Sequence, residues 1–317
     1  MRTSHFNRAV LTLVAATVLV AFSSCAKNET QPRNAEKDTV AAIAAAVPQR
    51  TITIAGFNTL HFGWKDNKSK DMDAFCKTLA NYDVVGLLEV MKPELLGDVE
   101  TKLKTLTKAE WKHTVSSRKL GRSTYKEYYA ILYRADRTTL IQGSARIWND
   151  VGDRFEREPF YASFRSDNFD YTVILMHSDF DSDKEVMRRE ARYLSGVFKA
   201  VQDADPKEND VLLIGDFNLS ASDQGWDKLK SLPTVAYLVP ATTLTTINPT
   251  GKPSSAYDNI WIQKQFTDWE FAGTANADYC FDEIFSSSMN PGKAWRQKVS
   301  DHAPVYAVFY TDRADDD

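Results

Sequence analysis

The run VLLIGDFN (211–218) limits what this chain can become more than any other stretch of it. Four consecutive apolar residues, Val211 to Ile214, show no alternation, so they read as a strand buried on both faces. Gly215, Asp216, Phe217 and Asn218 follow. In extended backbone, residues i and i+2 share a face, so Asp216 and Asn218 are expected to point together while Phe217 turns into the core. A turn capped by Asp and Asn side chains is the plainer explanation of the same residues.

Other stretches have strand character too: TITIAGFN (51–58), DVVGLLEV (83–90), YYAILYR (128–134), PFYASF (159–164), YTVILMH (171–177), AYDNIWI (256–262) and APVYAVFY (303–310). Helical periodicity runs over 70–81, over 93–105 and most clearly over 183–204. There Val186, Ala191, Leu194, Val197, Phe198 and Val201 form one stripe. Many strands with few but long helices predict an α+β fold, two packed sheets flanked by helices. No internal repeat or second linker interrupts residues 49–317, which are expected to form one domain.

Several of these strands end in a residue capable of chemistry. Asn58 closes the first, Glu89 lies near the end of the second, and His177 and Asp216 with Asn218 close two more. AYDNI holds Asp258, and Asp301 and His302 stand just before the last strand. A lone histidine after an apolar run is commonly a satisfied structural residue. Side chains delivered together from sheet ends into one crevice are how such architectures build a site. Glu, Asp and Asn are hard oxygen donors that suit Mg²⁺, Mn²⁺ or Ca²⁺. Zinc fits poorly, because HExxH and CxxC pairs are missing and the chain has five histidines. Two histidines with two spare acids, Glu127 and Asp258, give two orientable acid/base groups, since a carboxylate on an imidazole fixes its tautomer and raises its basicity. This equipment suits attack of water on a phosphodiester.

The N-terminus has a different character. Arg2 and Arg8 precede an uncharged run from Ala9 to Phe22, too short for a ~30 Å hydrocarbon core but right for the apolar region of a signal peptide. Ser23-Ser24-Cys25 follows and resembles a bacterial lipoprotein lipobox, with Phe22 where an aliphatic residue is more usual. That resemblance implies cleavage after residue 24 and lipidation of Cys25; an ordinary secretory signal is the alternative, and both export the chain. Residues 25–48, polar and then Ala-rich, are expected to be a tether. The expected protein is a monomer of the bacterial cell envelope that touches membrane only through its N-terminal lipid. Losing residues 1–24 removes Arg2 and Arg8 and no acid, so the formal charge moves from −4 to −6. A polyanionic substrate must then meet a local basic patch or a bound cation. Cys76 falls on a stripe with Met72, Phe75 and Leu79, where a buried free thiol is expected; pairing with Cys280 stays open, because sequence gives no distance.

The stretches GFN, LLEV, LMHSD, IGDFN and SDHAPV, taken in order, resemble the endonuclease/exonuclease/phosphatase superfamily. GRSTYKEYYAILYR (121–134), FEREPFYASF (155–164) and AYDNI (256–260) are most similar to its deoxyribonuclease I branch. The resemblance spans Ile52 to Val308 and implies a four-layer αββα sandwich and hydrolysis of DNA. It implies that Glu89 binds the divalent metal, Mg²⁺ first, with Asn58 and Asp301 nearby. His177 partnered by Glu127 and His302 partnered by Asp258 are the implied acid/base pair. Asp216 would orient or activate water, Asn218 would hold the scissile phosphate, and Arg157 would contact phosphate. Arg122 and Tyr125 would belong to a loop lying in the DNA minor groove.

Some positions depart from that pattern. Asp258-Asn259 stands where Asp-Arg is usual, Met91-Lys92 replaces an expected arginine, the cysteines match no usual bridge, and no calcium-stabilised loop is evident. These bear on duplex affinity rather than on the chemistry. A phosphatase or phospholipid phosphodiesterase on the same fold, and a catalytically dead binding module, are the competing readings. The first lacks a visible membrane hairpin or lysine-rich phosphoinositide loop, and the second has no use for an intact set of six polar residues.

Overall fold

In the computed structural model, which describes residues 50–67, 70–204 and 210–314, the apolar runs form two stacked sheets. Chain order begins β1 (Thr51–Phe62), α1 (Met72–Leu79), β2 (Val84–Val90), α2 (Leu96–Thr107), β3 (Trp111–Val115), β4 (Tyr128–Arg134), β5 (Thr139–Leu140) and β6 (Arg146–Ile147). It continues β7 (Phe160–Ser166), β8 (Phe169–His177), α3 (Lys184–Ala204), β9 (Val211–Asp216), β10 (Val235–Tyr237), β11 (Asp258–Gln263), β12 (Phe271–Ala277), α4 (Pro291–Lys298) and β13 (Val305–Tyr310). The folded unit is Gln49–Asp317. The expected signal segment (1–24), its Cys25 and the tether (25–48) lie outside the described residues.

One sheet has the order β12-β13-β1-β2-β4-β3 and the other β10-β11-β9-β8-β7-β5, with β6 on β7. Each centres on one parallel pair, β1–β2 and β8–β9. A parallel pair needs a crossover, and α1 and α3 supply them on the outer faces. Three apolar layers result. Ile54, Val84, Leu88, Leu175, Ile214 and Ile260 lie between the sheets. Phe57, Val85 and Leu87 meet Phe75, Leu79, Val99 and Trp295 of the helices outside the first sheet. Ile174, Met176 and Leu213 meet Met187, Leu194 and Phe198 of α3 outside the second. This is the four-layer αββα arrangement.

Two glycines set how closely the sheets approach. Gly56 and Gly86 are register partners on β1 and β2, and Leu175 and Ile214 are register partners on β8 and β9. A Cβ on Gly56 would lie 2.3 Å from Ile214 Cγ2, and one on Gly86 would lie 2.3 Å from Leu175 Cδ2. The missing methyls in one sheet thus receive the branched side chains of the other.

The helix expected over 70–81 is Met72–Leu79, begun by Asp71, whose carboxylate accepts from the Asp73 and Ala74 N–H groups. The helix expected over 93–105 is displaced: a 3₁₀ turn occupies Pro93–Leu95, and α2 runs to Thr107 before Lys108 ends it in left-handed geometry. On α3, Val186 is only half-buried, and Met187 and Glu190 extend the buried stripe. Strands β3, β5, β6, β10 and β12 and helix α4 carry no sequence expectation, being short or lying at sheet edges. Cys76 and Cys280 are free and buried, and burial pushes both thiols up to about 12.

Candidate active site

Period-two geometry delivers the first groups. Gly56, Leu175 and Ile214 face the inter-sheet core, so Asn58, His177 and Asp216, two residues on, face the same way one pleat beyond it. Asn58 Nδ2 spans the gap, donating to Asp216 Oδ2 at 3.0 Å and to Glu89 Oε1 at 3.0 Å.

Glu89 arrives by a different route. Straight pleating from Leu88 would aim it outward. Instead the β1–β2 register shifts between Asn58 and Phe62, the β2–β4 register shifts between Leu87 and Val90, and Glu89 adopts φ 58°. The bulge turns the carboxylate inward. Leu60 (φ 46°) and His61 (φ 58°) are left-handed beside it, and such backbone costs of order 1–3 kcal/mol per residue, a strain found where a site imposes it. His61 N–H donates to Glu89 Oε2 at 3.0 Å, and His61 Nε2 lies 3.3 Å from the same atom.

The expectation of one extended face from Asp216 to Asn218 is corrected. Phe217 does enter the core, meeting Trp226 edge-to-face with ring centroids 4.9 Å apart. Asn218, however, has φ 49°, its N–H donates to Asp216 Oδ1 at 3.1 Å, and its amide donates to the Ser178 carbonyl at 3.0 Å. The turn and the shared cleft coexist.

Each histidine is held by its own carboxylate. His177 Nδ1 sits 2.9 Å from Glu127 Oε1, and His302 Nδ1 sits 2.8 Å from Asp258 Oδ2. Their Nε2 atoms lie 3.6 and 3.4 Å from the same oxygen, Asp216 Oδ2. Both pairs straddle the sheets: Glu127 leads into β4 and His177 ends β8, while His302 precedes β13 and Asp258 opens β11. Burial works against a charged His302, but the Asp258 and Asp216 carboxylates outweigh it and hold the imidazole well above its ordinary 6.5. His177 is raised in the same way, burial and Arg157 opposing, Glu127 and Asp216 prevailing. Burial likewise disfavours ionised Asp216, yet the two imidazoles and the Asn58 amide keep it below the usual carboxylate range. The cluster is therefore charge-compensated.

Asn58, Glu89, His177, Asp216, Asn218, Asp301 and His302 all line one open cleft of about 430 Å³. Asp301 lies on its wall, ion-paired with Arg296 at 3.1 Å. Arg157 is not brought to the cleft lining. It is 5% exposed, donating from Nε to the His177 carbonyl (3.1 Å) and from Nη2 to that of Ser178 (3.0 Å), with Glu127 3.8 Å away. Tyr125 is half-buried, its ring below the Arg157 guanidinium and its edge toward His61. Arg122 is exposed and anchored by Asp153 and Glu156. The loop carrying both is closed by a bridge between Leu120 and Glu127, with Gly121 at φ 131°. A roomier hollow of about 560 Å³ beside Arg146 and Trp148 lies elsewhere and holds no histidine.

Several supporting residues escaped the sequence reading. Thr245 Oγ1 donates to Asp258 Oδ2 at 2.6 Å; Ser300 Oγ donates to the Asn58 carbonyl at 2.7 Å and accepts from His302 N–H at 3.0 Å. Glu190 accepts the Glu156 and Asp179 N–H groups at 2.6 and 2.8 Å. Only Glu190 left a signal, since it falls on the apolar stripe of α3 with Met187 and Leu194.

The sequence profile of the Endonuclease/Exonuclease/phosphatase family matches residues 55–302. The chain belongs to that family. A protein named deoxyribonuclease from Thioalkalivibrio sp. (strain K90mix) is 33% identical over 81% of this chain and 71% of its own length. Deoxyribonuclease-1-like 2 of Mus musculus is 28% identical over 82% of this chain and 92% of its own. Among solved structures, an endonuclease/exonuclease/phosphatase family protein from Bacteroides thetaiotaomicron shares the fold with a TM-score of 0.56 at 17% identity, covering 84% of this chain and 97% of the other. Membership implies a divalent metal. Asp216, Asp258 and His302 also form a buried group whose ligand atoms all lie within 4.8 Å of one another.

Proposed function

We propose that this chain is a divalent-metal-dependent endonuclease that hydrolyses DNA. One observation carries the reading: two imidazoles, each fixed at Nδ1 by a carboxylate, present Nε2 to a common point at Asp216 from opposite sheets. Such a pair can take a proton from water on one side of a phosphorus and give one to the leaving oxygen on the other. The relatives named deoxyribonucleases, matched over most of their length, supply the substrate.

The donors fit a hard cation. Glu89 and Asp301 line the cleft beside Asn58, and the bulge at Glu89 serves to turn a carboxylate there. In the alternative group, His302 Nδ1 and Asp258 Oδ2 are already engaged with each other at 2.8 Å, so we assign Mg²⁺ to Glu89, with Asn58 and Asp301 close by and Mn²⁺ or Ca²⁺ as substitutes. When bound, the ion would neutralise charge on the phosphate that an acidic protein otherwise repels. Glu127 and Asp258 hold the imidazole tautomers, Asp216 orients the attacking water, and Asn218 steadies the phosphate. Arg157 acts through others, tying the backbone of His177 and Ser178 to Glu127. Tyr125 and Arg122 belong to the duplex-facing loop.

Purified chain should nick plasmid DNA with Mg²⁺ and stop with EDTA, and Glu89→Gln should raise the Mg²⁺ requirement or abolish cutting. Full activity in EDTA would sink the metal assignment. Turnover of sphingomyelin or inositol phosphates with no cutting of DNA would replace the substrate.

For location, we propose export and lipid anchoring through Cys25 of a monomer. The charge-free run from Ala9 to Phe22 and the small residues before Cys25 support this. Labelled palmitate should enter the parent and not Cys25→Ala; equal labelling would remove the anchor.

A further inference from the structure

Beyond His61, whose Nε2 lies 3.3 Å from Glu89, is a second hollow of about 190 Å³, between Leu60, His61 and Trp64 on one wall and Arg296, Lys298 and Val299 on the other. Among the described residues no carboxylate lines it, unlike the cleft. In a chain of net charge −4, a hollow flanked by an exposed Lys298 and by Arg296, which also pairs with Asp301 at 3.1 Å, is a local anion-attracting patch. Arg296 lines both spaces, so a strand leaving the cleft along that wall enters this hollow.

The opposite wall is aromatic. Trp64 is 54% exposed, an unusual position for the largest apolar side chain. Its ring lies 5.8 Å from that of His61, which lies 5.5 Å from Tyr125. The row is rigid. Lys70 Nζ donates to the carbonyls of Thr59 (2.8 Å), Leu60 (3.4 Å) and Val299 (2.6 Å), pinning the segment before His61 to the end of α4. Burial lowers that ammonium to about 8, which suits a structural tie better than a phosphate contact.

We propose that Trp64, continued by His61 and faced by Arg296 and Lys298, is a subsite for an unpaired nucleotide of a DNA strand that passes through the cleft. This rests on the nuclease reading above. A paired base offers its faces only to its stacked neighbours, so an indole platform selects a base freed at a gap, a frayed end or a single strand. Tyr125, buried deeper, meets sugar and groove instead.

The test uses the full chain carrying His177→Ala to silence turnover, with Mg²⁺ present. Fluorescence anisotropy reads affinity for a blunt duplex, a duplex with a short gap, and a single strand. Adding Trp64→Ala should cost about 5- to 100-fold on the gapped and single-stranded probes and less than about twofold on the blunt duplex. Trp64→Phe should recover most of the loss, and the melting temperature should not move, the indole being largely exposed. Gapped binding unchanged by Trp64→Ala, or an equal loss on blunt duplex, overturns the subsite. The parent chain's failure to cut plasmid DNA is a separate result that overturns the nuclease reading instead.

Discussion

His302 keeps its proton because two carboxylates outbid its burial, and that has a sign. A histidine raised above its ordinary 6.5 stabilises the fold fully below that value and loses the contribution as pH climbs through the raised one. Stability relative to His302→Gln should therefore fall on the alkaline side of neutrality, read as melting temperature against pH. With His177 raised as well, the bell-shaped profile of kcat/KM should be centred above pH 6.5. A profile centred on the acid side would show that the two imidazoles do not carry the acid and base roles. His177→Ala or His302→Ala should each lower the rate by about 10²- to 10⁴-fold. Each also leaves a buried carboxylate without its partner, so the melting temperature should drop, contrary to what a freely exposed cleft residue would show. His177 and Asp216 were legible because the pleat of a buried strand dictates where the next side chain but one must face. Glu89 was legible only as a residue type, since its aim depends on a bulge, and bulges leave no period. The partners Thr245 and Ser300 were not legible, because a hydroxyl in a loop has too many uses to be read without coordinates.

At the level of elements, the parallel pairs were the readable part. Within them VVGLL (84–88), VILM (173–176) and VLLIG (211–215) are apolar without interruption because each lies between two covered faces. Strand β12 is largely exposed, β5 and β6 have two residues each, and tertiary context alone makes them strands. Gly215 tests the β8–β9 pair. A Cβ there would lie 1.9 Å from the Met176 carbonyl oxygen, which is backbone and cannot swing away. Gly215→Ala should part the strands that end in His177 and Asp216, lowering stability by about 1–3 kcal/mol in urea melts and activity by far more than that loss of folded protein explains. A variant that is fully active and equally stable would show that the close approach is dispensable.

The whole molecule divides its chemistry between two sheets. Asn58, Glu89, Glu127 and His302 come with one, His177, Asp216 and Asp258 with the other, and the two pairs held at Nδ1, His177–Glu127 and His302–Asp258, both cross the boundary. The glycine pair at Gly56 and Gly86 is therefore a calliper: it sets the jaw width at which these groups meet, although neither glycine touches them. Gly86→Ala should lower kcat by opening the jaws, and shortening the opposing side chain, Gly86→Ala with Leu175→Val, should recover part of it; failure of the second change to help would mean the spacing is set elsewhere. A tool closed by a calliper fails first by slipping, not by breaking. In mild urea, the two sheets can slide by a fraction of a side chain while each keeps its ladder, so cutting activity should vanish at concentrations where far-ultraviolet circular dichroism still reports intact strands.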